Sequence, residues 1–264
     1  MMKKIVAILA AAAALCACGP KLVILHTNDT HSHFDPLRDG RGGVIERAAL
    51  VDSVRKAVGE DRLLLLHAGD FDQGTSYYSI MHGELEAETV NAFGYDAIAL
   101  GNHEFDDGIE SLTERVSKIL CPVLCANLDF SSFELGDYVS PFTIVRKGGM
   151  DIGIIGLEAD LSTNVSKEIS SRIPQLDAVE VTNYWAEYLR REEHCDMIIV
   201  LSHQGYEPTD KENAAKFKGV DLIIGGHSHT FVDDLVYVND VDDKPLPIVT
   251  DGCWGLEMGM LKIY

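Results

Sequence analysis

Five short apolar runs in this chain end in the same way, in side chains able to hold a metal ion. Residues 21–26 run into Asn28, Asp29 and His31. Residues 62–67 lead to Gly69-Asp70, and residues 96–100 to Gly101-Asn102-His103. Residues 197–201 lead to Ser202-His203, and residues 221–224 to Gly225-Gly226-His227-Ser228-His229. Runs of this length and apolarity read as buried strands. Helical patterns at 44–58, 84–93 and 178–191 alternate with them, which predicts an α/β fold with its chemistry in the crevice beyond the strand ends. Five of the ten histidines fall at these ends. One Asp-x-His is common by chance; its repetition on separate strands is not.

The stretch Gly101-Asn102-His103-Glu104-Phe105-Asp106 carries the most chemistry in the fewest residues. Read as extended chain, neighbours point opposite ways, so Asn102 faces a metal while His103 faces a substrate, and Asp106 returns to hold the imidazole. A blander reading competes: Asp106 or Asp107 caps the next helix, Asp107 with Glu110 forming a capping box, and His103 is an ordinary loop histidine. By the same extended-chain argument Asp29 and His31 project to one side, as do His227 and His229, whose Cα atoms the strand rise puts about 6–7 Å apart.

Two metals account economically for so many ligands. Asp70 bridges with its two oxygens, and the spacing suits ions about 3.5–4 Å apart. Two carboxylates against two divalent ions leave the site near about +2, and bound ions rather than the net charge set the local sign. The whole chain carries 42 acidic and 22 basic residues, net −20. That excludes nucleic acid as a partner, which needs a basic face. It does not exclude a small phosphorylated substrate, since the acidic exterior is screened beyond about 10 Å. Water held between two such ions becomes a hydroxide nucleophile near neutral pH. Mixed nitrogen and oxygen ligation suits Zn, Mn, Co or Fe without choosing among them.

The motifs Asn28-Asp29-x-His31, Gly69-Asp70, Gly101-Asn102-His103-Glu104, a strand-end His203 and Gly226-His227-x-His229 resemble those of the calcineurin-like metallophosphoesterase superfamily. Leu25-His26-Thr27-Asn28-Asp29, the hexapeptide and Gly225-Gly226-His227-Ser228-His229-Thr230 narrow the resemblance to the N-terminal metallophosphatase domain of the 5′-nucleotidase and UDP-sugar hydrolase family. The resemblance implies a four-layer α-β-β-α sandwich with two packed mixed β-sheets. It implies one divalent ion on Asp29, His31, Asp70 and His229, and a second on Asp70, Asn102, His203 and His227. His103 then stabilises charge on the phosphoryl group or leaving oxygen, Asp106 orients it, and Asn102 stays neutral. The implied activity is hydrolysis of nucleotides or related phosphoesters; cyclic-nucleotide phosphodiesterase, UDP-sugar pyrophosphohydrolase and a non-catalytic surface binding protein are the competing readings. Full-length members carry a C-terminal nucleotide-specificity domain that is not seen here, so a separately encoded domain is an expected partner.

The N-terminus carries an address. Met1-Met2-Lys3-Lys4 is basic, and residues 5–15 are apolar and Ala-rich. That run is too short to span a bilayer and right for a secretory signal. Leu15-Cys16-Ala17-Cys18 resembles a bacterial lipobox, which implies a signal peptide over residues 1–17 and acylation of Cys18. Residues 18–264 then form one domain of an exported lipoprotein, anchored by several acyl chains and facing the periplasm; a plain signal peptide is the alternative.

The other polar residues are assigned to the scaffold. His26 and His67 are expected to pack or support the ligands, His33 to face solvent or support, and His82 and His194 to lie on the surface. Asp72 reads as a loop or supporting residue, and Tyr77, Tyr78 and Tyr206 as core rather than pocket. Beyond the lipobox, Cys121, Cys125, Cys195 and Cys253 lack paired zinc spacing, and either disulfides or buried free thiols fit them. A strand is expected at 122–127, a hairpin over 142–157 turning at Lys147-Gly148-Gly149, and further strands at 248–250 and 258–264. In the helix at 178–191, Val179, Val181, Trp185 and Leu189 form the apolar face.

Overall fold

The computed structural model describes residues 19–264, so the signal segment and Cys18 lie outside the described residues. Twelve strands in that span form two six-stranded sheets. In the first, β1 (Leu22–Thr27), β2 (Leu63–His67), β3 (Ala97–Ala99), β4 (Val123–Leu124) and β5 (Val139–Ser140) run parallel, and β12 (Gly259–Ile263) closes the edge antiparallel to β1. In the second, β7 (Met150–Glu158), β8 (Met197–His203), β9 (Leu222–Gly225) and β11 (Pro245–Val249) are parallel. Antiparallel β6 (Phe142–Lys147) and β10 (Val236–Asn239) border them.

Strands buried on both faces carry continuous apolar runs rather than alternation, and β2 shows why. Leu64 and Leu66 point between the sheets, beside Leu22, Ile24, Ile152, Ile154, Ile199 and Leu201. Leu63 and Leu65 point the other way, against Val51 of helix Val44–Val58 and Val90 and Phe93 of helix Glu84–Phe93. On the far face of the second sheet, Ile198 and Val200 meet Ala186 and Leu189 of helix Ala178–Arg191. The layers are helix, sheet, sheet, helix, as the resemblance implies.

This architecture collects the strand ends. All parallel strands of a sheet finish at the same edge, with Thr27 opposite His67 in one sheet and Glu158 opposite His203 in the other. Face-to-face packing sets the two edges against each other, and the His203 ring bonds the Ala68 carbonyl of the first sheet.

Several local expectations change. The hexapeptide is not extended: Asn102–Phe105 is a turn of 3₁₀ helix. Helix Ile109–Val116 starts after Gly108 without a side-chain cap, so the Asp107–Glu110 box does not form; Asp107 pairs with His82 instead. The strand at 122–127 shortens to Val123–Leu124. Helix Ala178–Arg191 has the expected bounds, but its buried stripe is Thr182, Ala186 and Leu189, spaced i, i+4, i+7, while Val179, Val181 and Trp185 are half-buried. The hairpin pairs Lys147 with Met150 around Gly148-Gly149, both at positive φ, the backbone a two-residue turn between twisted strands requires. Cys121, Cys125, Cys195 and Cys253 are free thiols. No helix among the described residues is long and apolar enough to cross a membrane.

Candidate metal centre

The ligand-type residues sit just beyond the strands, and their backbone explains how they converge. Asp29, His31, Asp70, His227 and His229 all have φ between 47° and 68°. Left-handed backbone is uncommon outside glycine and clusters at functional sites. The extended-chain picture of Asp29/His31 and His227/His229 is therefore wrong. Strand pairing ends at Thr27 and Gly225, and tight turns fold the following residues back over the sheet edges. The turns are tied together: Asp29 N donates to Gly69 O at 2.9 Å and His31 N to Asp70 O at 3.1 Å. His227 N donates to Asp29 Oδ2 at 2.9 Å.

Two groups result. Asp29, His31 and His229 offer ligand atoms all within 4.8 Å of one another, and so do Asp70, His203 and His227. Asp70 lies between the groups: its Oδ2 is 3.0 Å from His203 Nε2 and 3.7 Å from His31 Nε2. Asn102 joins the second, its Oδ1 2.8 Å from His227 Nδ1. His227 and His229, two residues apart, serve different groups. The structure thus brings together all seven residues singled out as ligands.

Hydrogen bonding shows that these donors fit metal ions. His203 Nδ1 donates to the Ala68 carbonyl at 2.7 Å, which turns Nε2 toward the Asp70 carboxylate at 3.0 Å; burial pushes the His203 pKa down, but Asp70 and Asp29 outweigh it and raise it. That buried Nε2 has no hydrogen-bond partner. His31 Nδ1 donates to the Asp72 carbonyl at 3.2 Å, and its Nε2 faces His229 Nε2 at 3.0 Å. Fixing one imidazole nitrogen on a carbonyl is the usual way of aiming the other at a metal. Burial pushes the pKa of His31 and of His227 down, which favours the unprotonated ring a metal needs. Burial also pushes Asp70 up, but His203 and His31 outweigh it and hold the carboxyl below its usual range. His229 is drawn up to about 10 by its hydrogen bond to Asp29, so a cation taken up there must displace a proton.

Two residues to which the sequence reading gives no role of their own hold the ligands in place. The Glu104 carboxylate accepts the N–H groups of Gly101 (2.5 Å), Asp70 (3.0 Å) and Asp72 (3.0 Å). Asn28 donates to Asp29 Oδ2 at 2.6 Å and to Gly252 O, and accepts Asp251 N. The only local signal is the Gly-x-x-Glu pattern of a helical first turn. Glycine is required where backbones touch: a Cβ on Gly101 would run into the Asp70 carboxylate, and one on Gly226 would lie 2.7 Å from Ala68 O.

His103 stands at the rim, its side chain one-third exposed. Its N–H donates to Asp70 Oδ1 at 2.9 Å, and its Nδ1 lies 2.8 Å from Asp106 Oδ2. That bond raises the His103 pKa. The 3₁₀ turn, rather than strand alternation, separates the His103 ring from Asn102.

The scaffold residues fall as expected except Tyr77, which lies outside the core and donates its hydroxyl to Asp35 at 3.0 Å. His26 is buried against Asp251 at 2.5 Å, His67 is buried, and Asp72 pairs with Arg115 at 2.9 Å. Half-buried His33 stacks on Trp254, with ring centroids 4.8 Å apart. His82 and His194 are exposed, Tyr78 and Tyr206 are buried, and Tyr77 is half-buried.

Residues 22–231 match the sequence family described as calcineurin-like phosphoesterase. The chain belongs to the calcineurin-like phosphoesterases. Within that family it is 33% identical to the 5′-nucleotidase of Bos taurus over 279 residues, an alignment covering 92% of this chain and 46% of the relative. The 5′-nucleotidase precursor of Thermus thermophilus superposes with a TM-score of 0.84 at 32% identity, over 90% of this chain and 50% of that one. The Haemophilus influenzae NAD nucleotidase gives 0.81 at 29% identity, over 91% and 46%. This phosphoesterase thus spans about half the length of the relatives it matches. The Thermus thermophilus sulfate thiohydrolase, at 17% identity, reaches 0.81 as well, so the fold alone does not set the substrate.

Proposed function

We propose that this chain is a phosphohydrolase working with two divalent ions on nucleotides or related phosphomonoesters. The observation carrying the reading is Asp70, a member of the second ligand group whose Oδ2 also lies 3.7 Å from His31 of the first, and which accepts the backbone N–H of His103. Asp29, His31, Asp70 and His229 would hold one ion, and Asp70, Asn102, His203 and His227 the other. Such ions supply Lewis acidity toward phosphoryl oxygens and make water nucleophilic at neutral pH. The chain's own part is positional. Glu104 and Asn28 fix the ligand turns, and the second-sheet edge shields His203. His103, its proton favoured by Asp106, donates a hydrogen bond to the phosphoryl group or leaving oxygen.

The test is metal-free protein reconstituted separately with Zn, Mn, Co or Fe and assayed on nucleotides, cyclic nucleotides, a UDP-sugar and simple phosphoesters. Metal-dependent release of phosphate from monoesters supports the reading. Preference for cyclic nucleotides or the UDP-sugar would reassign it, and an inert metal-replete protein would favour a binding role.

The names and lengths of the relatives support a further proposal, and the N-terminal sequence another. A nucleotide-specificity domain supplied in trans would raise kcat/KM on nucleotides when titrated in; unchanged kinetics would count against it. Acylation of Cys18 would anchor the protein to a membrane facing the periplasm, and mass spectrometry of detergent-extracted protein would find the lipid on that residue.

A further inference from the structure

Beside the second ligand group lies a cavity of about 620 Å³, with His227 in its wall. Its size is that of a small-molecule site, commonly about 300–1,000 Å³. The rest of the wall includes the amides of Asn127, Asn164, Gln175 and Gln204 and the carboxylates of Asp160 and Asp177. No lysine or arginine among the described residues lines it.

These groups are fixed before any ligand arrives. Asp160 Oδ1 accepts Ser162 N at 2.9 Å and Asp177 Oδ1 accepts Glu180 N at 2.8 Å, so both carboxylates are held as helix caps. The Asn127 amide bonds both the N–H and the carbonyl of Glu158, and Gln175 bonds Leu161 N and Ala159 O. The Asn127 oxygen also takes the Cys125 thiol, while the Gln175 oxygen keeps a second lone pair and its nitrogen a second hydrogen. Such a wall matches a neutral group rich in hydroxyls, and its rigidity lowers the cost of ordering on binding. A second phosphate placed there would be desolvated against two fixed carboxylates with no cation to pair it, which is discrimination by repulsion.

We infer that this cavity receives the uncharged, hydroxyl-bearing part of the leaving group and excludes substrates with a second phosphate. The inference rests on the phosphohydrolase reading above. Ribose of a nucleoside monophosphate and the ring of a sugar phosphate share this chemistry.

The test compares kcat/KM of the metal-reconstituted protein on a nucleoside 5′-monophosphate, a sugar phosphate, a nucleoside diphosphate sugar and phenyl phosphate. Wild type should favour a hydroxyl-bearing monophosphate over the diphosphate at least tenfold, and the better of the two monophosphates names the source. Asn164→Leu should raise KM for that substrate about fivefold while leaving phenyl phosphate within twofold. Thr163 also lines the cavity, so Thr163→Lys brings a cation to it and should narrow the monophosphate-to-diphosphate ratio at least fivefold. Equal rates on mono- and diphosphates, or a ratio unmoved by Thr163→Lys, would overturn the subsite. Loss of all turnover with metals bound would overturn the hydrolase reading instead. Saturation-transfer NMR with free nucleoside and free sugar then decides the cavity alone: binding weakened by Asn164→Leu supports it, and absence of binding overturns it.

Discussion

The Glu104 carboxylate accepts the backbone N–H of Asp70 at 3.0 Å across 34 residues of sequence. It also takes the N–H of Gly101 and of Asp72, so one buried side chain fastens the turn after β2 to the turn after β3. Leaving a buried donor unsatisfied costs about 1–3 kcal/mol. Glu104→Ala orphans three and should destabilise the protein by roughly 3–5 kcal/mol once partial rehydration is allowed for. At about 2–4 °C per kcal/mol for a chain of this size, thermal denaturation followed by circular dichroism should show a fall of roughly 10 °C. A midpoint within a degree of wild type would mean that water replaces the carboxylate freely.

His103 meets the site only through its own side chain and its N–H to Asp70. Substitution by alanine keeps the backbone donor and every proposed ligand. His103→Ala should therefore retain its metals while losing about 10²–10⁴ in kcat, the usual size of a positioned acid–base group. Asp106→Asn should lose less, because the imidazole stays but its orientation and raised pKa do not. Full activity in His103→Ala would remove that residue from the chemistry.

Asp70 faces both ligand groups, and among the described residues no other carboxylate lies within 4 Å of both His31 and His203 except Asp29, whose oxygen is 3.7 and 3.9 Å away. Asp70→Ala should lose both ions by elemental analysis, whereas His229→Ala should lose chiefly one. The wild-type protein should also gain thermal stability on adding metal, by about 2.7 kcal/mol at a hundredfold excess over Kd, and Asp70→Ala should gain far less. Two ions retained in Asp70→Ala would end its bridging assignment.

The layers and the ligand set were legible because both are written locally. Leucines 63–66 declare a strand buried on both faces, and each ligand follows such a run. What was not legible depends on partners far along the chain. Nothing near Asp29 or His229 announces left-handed backbone; bonds such as Asp29 N to Gly69 O impose it. Glu104 gains no role from the sequence because two of its three donors lie more than 30 residues away. Thr182 and Ala186, rather than Val181 and Trp185, fill the buried stripe, which Leu189 completes by packing on Gly153 of the second sheet.

His67 makes acid stability a test of burial. Its Nδ1 accepts the Gly69 N–H at 3.1 Å, so its proton sits on Nε2, toward Thr30 Oγ1 at 3.2 Å. Charging the ring would set a new N–H against the Gly69 donor, and burial holds the pKa down at about 3. In the unfolded chain the ring titrates near about 6.5. Above that pH it is neutral in both states and contributes no pH dependence. Below it the unfolded state takes up a proton that the native state refuses, so stability falls by about 1.4 kcal/mol per pH unit until roughly pH 3. His67→Asn keeps an acceptor near Gly69 and cannot titrate. It should be less stable than wild type at pH 7.5, having lost the ring contacts to Phe71 and Tyr95. By pH 5 that gap should shrink by about 2 kcal/mol in urea unfolding. Parallel stability curves for the two proteins would show that the native state accommodates the His67 proton after all.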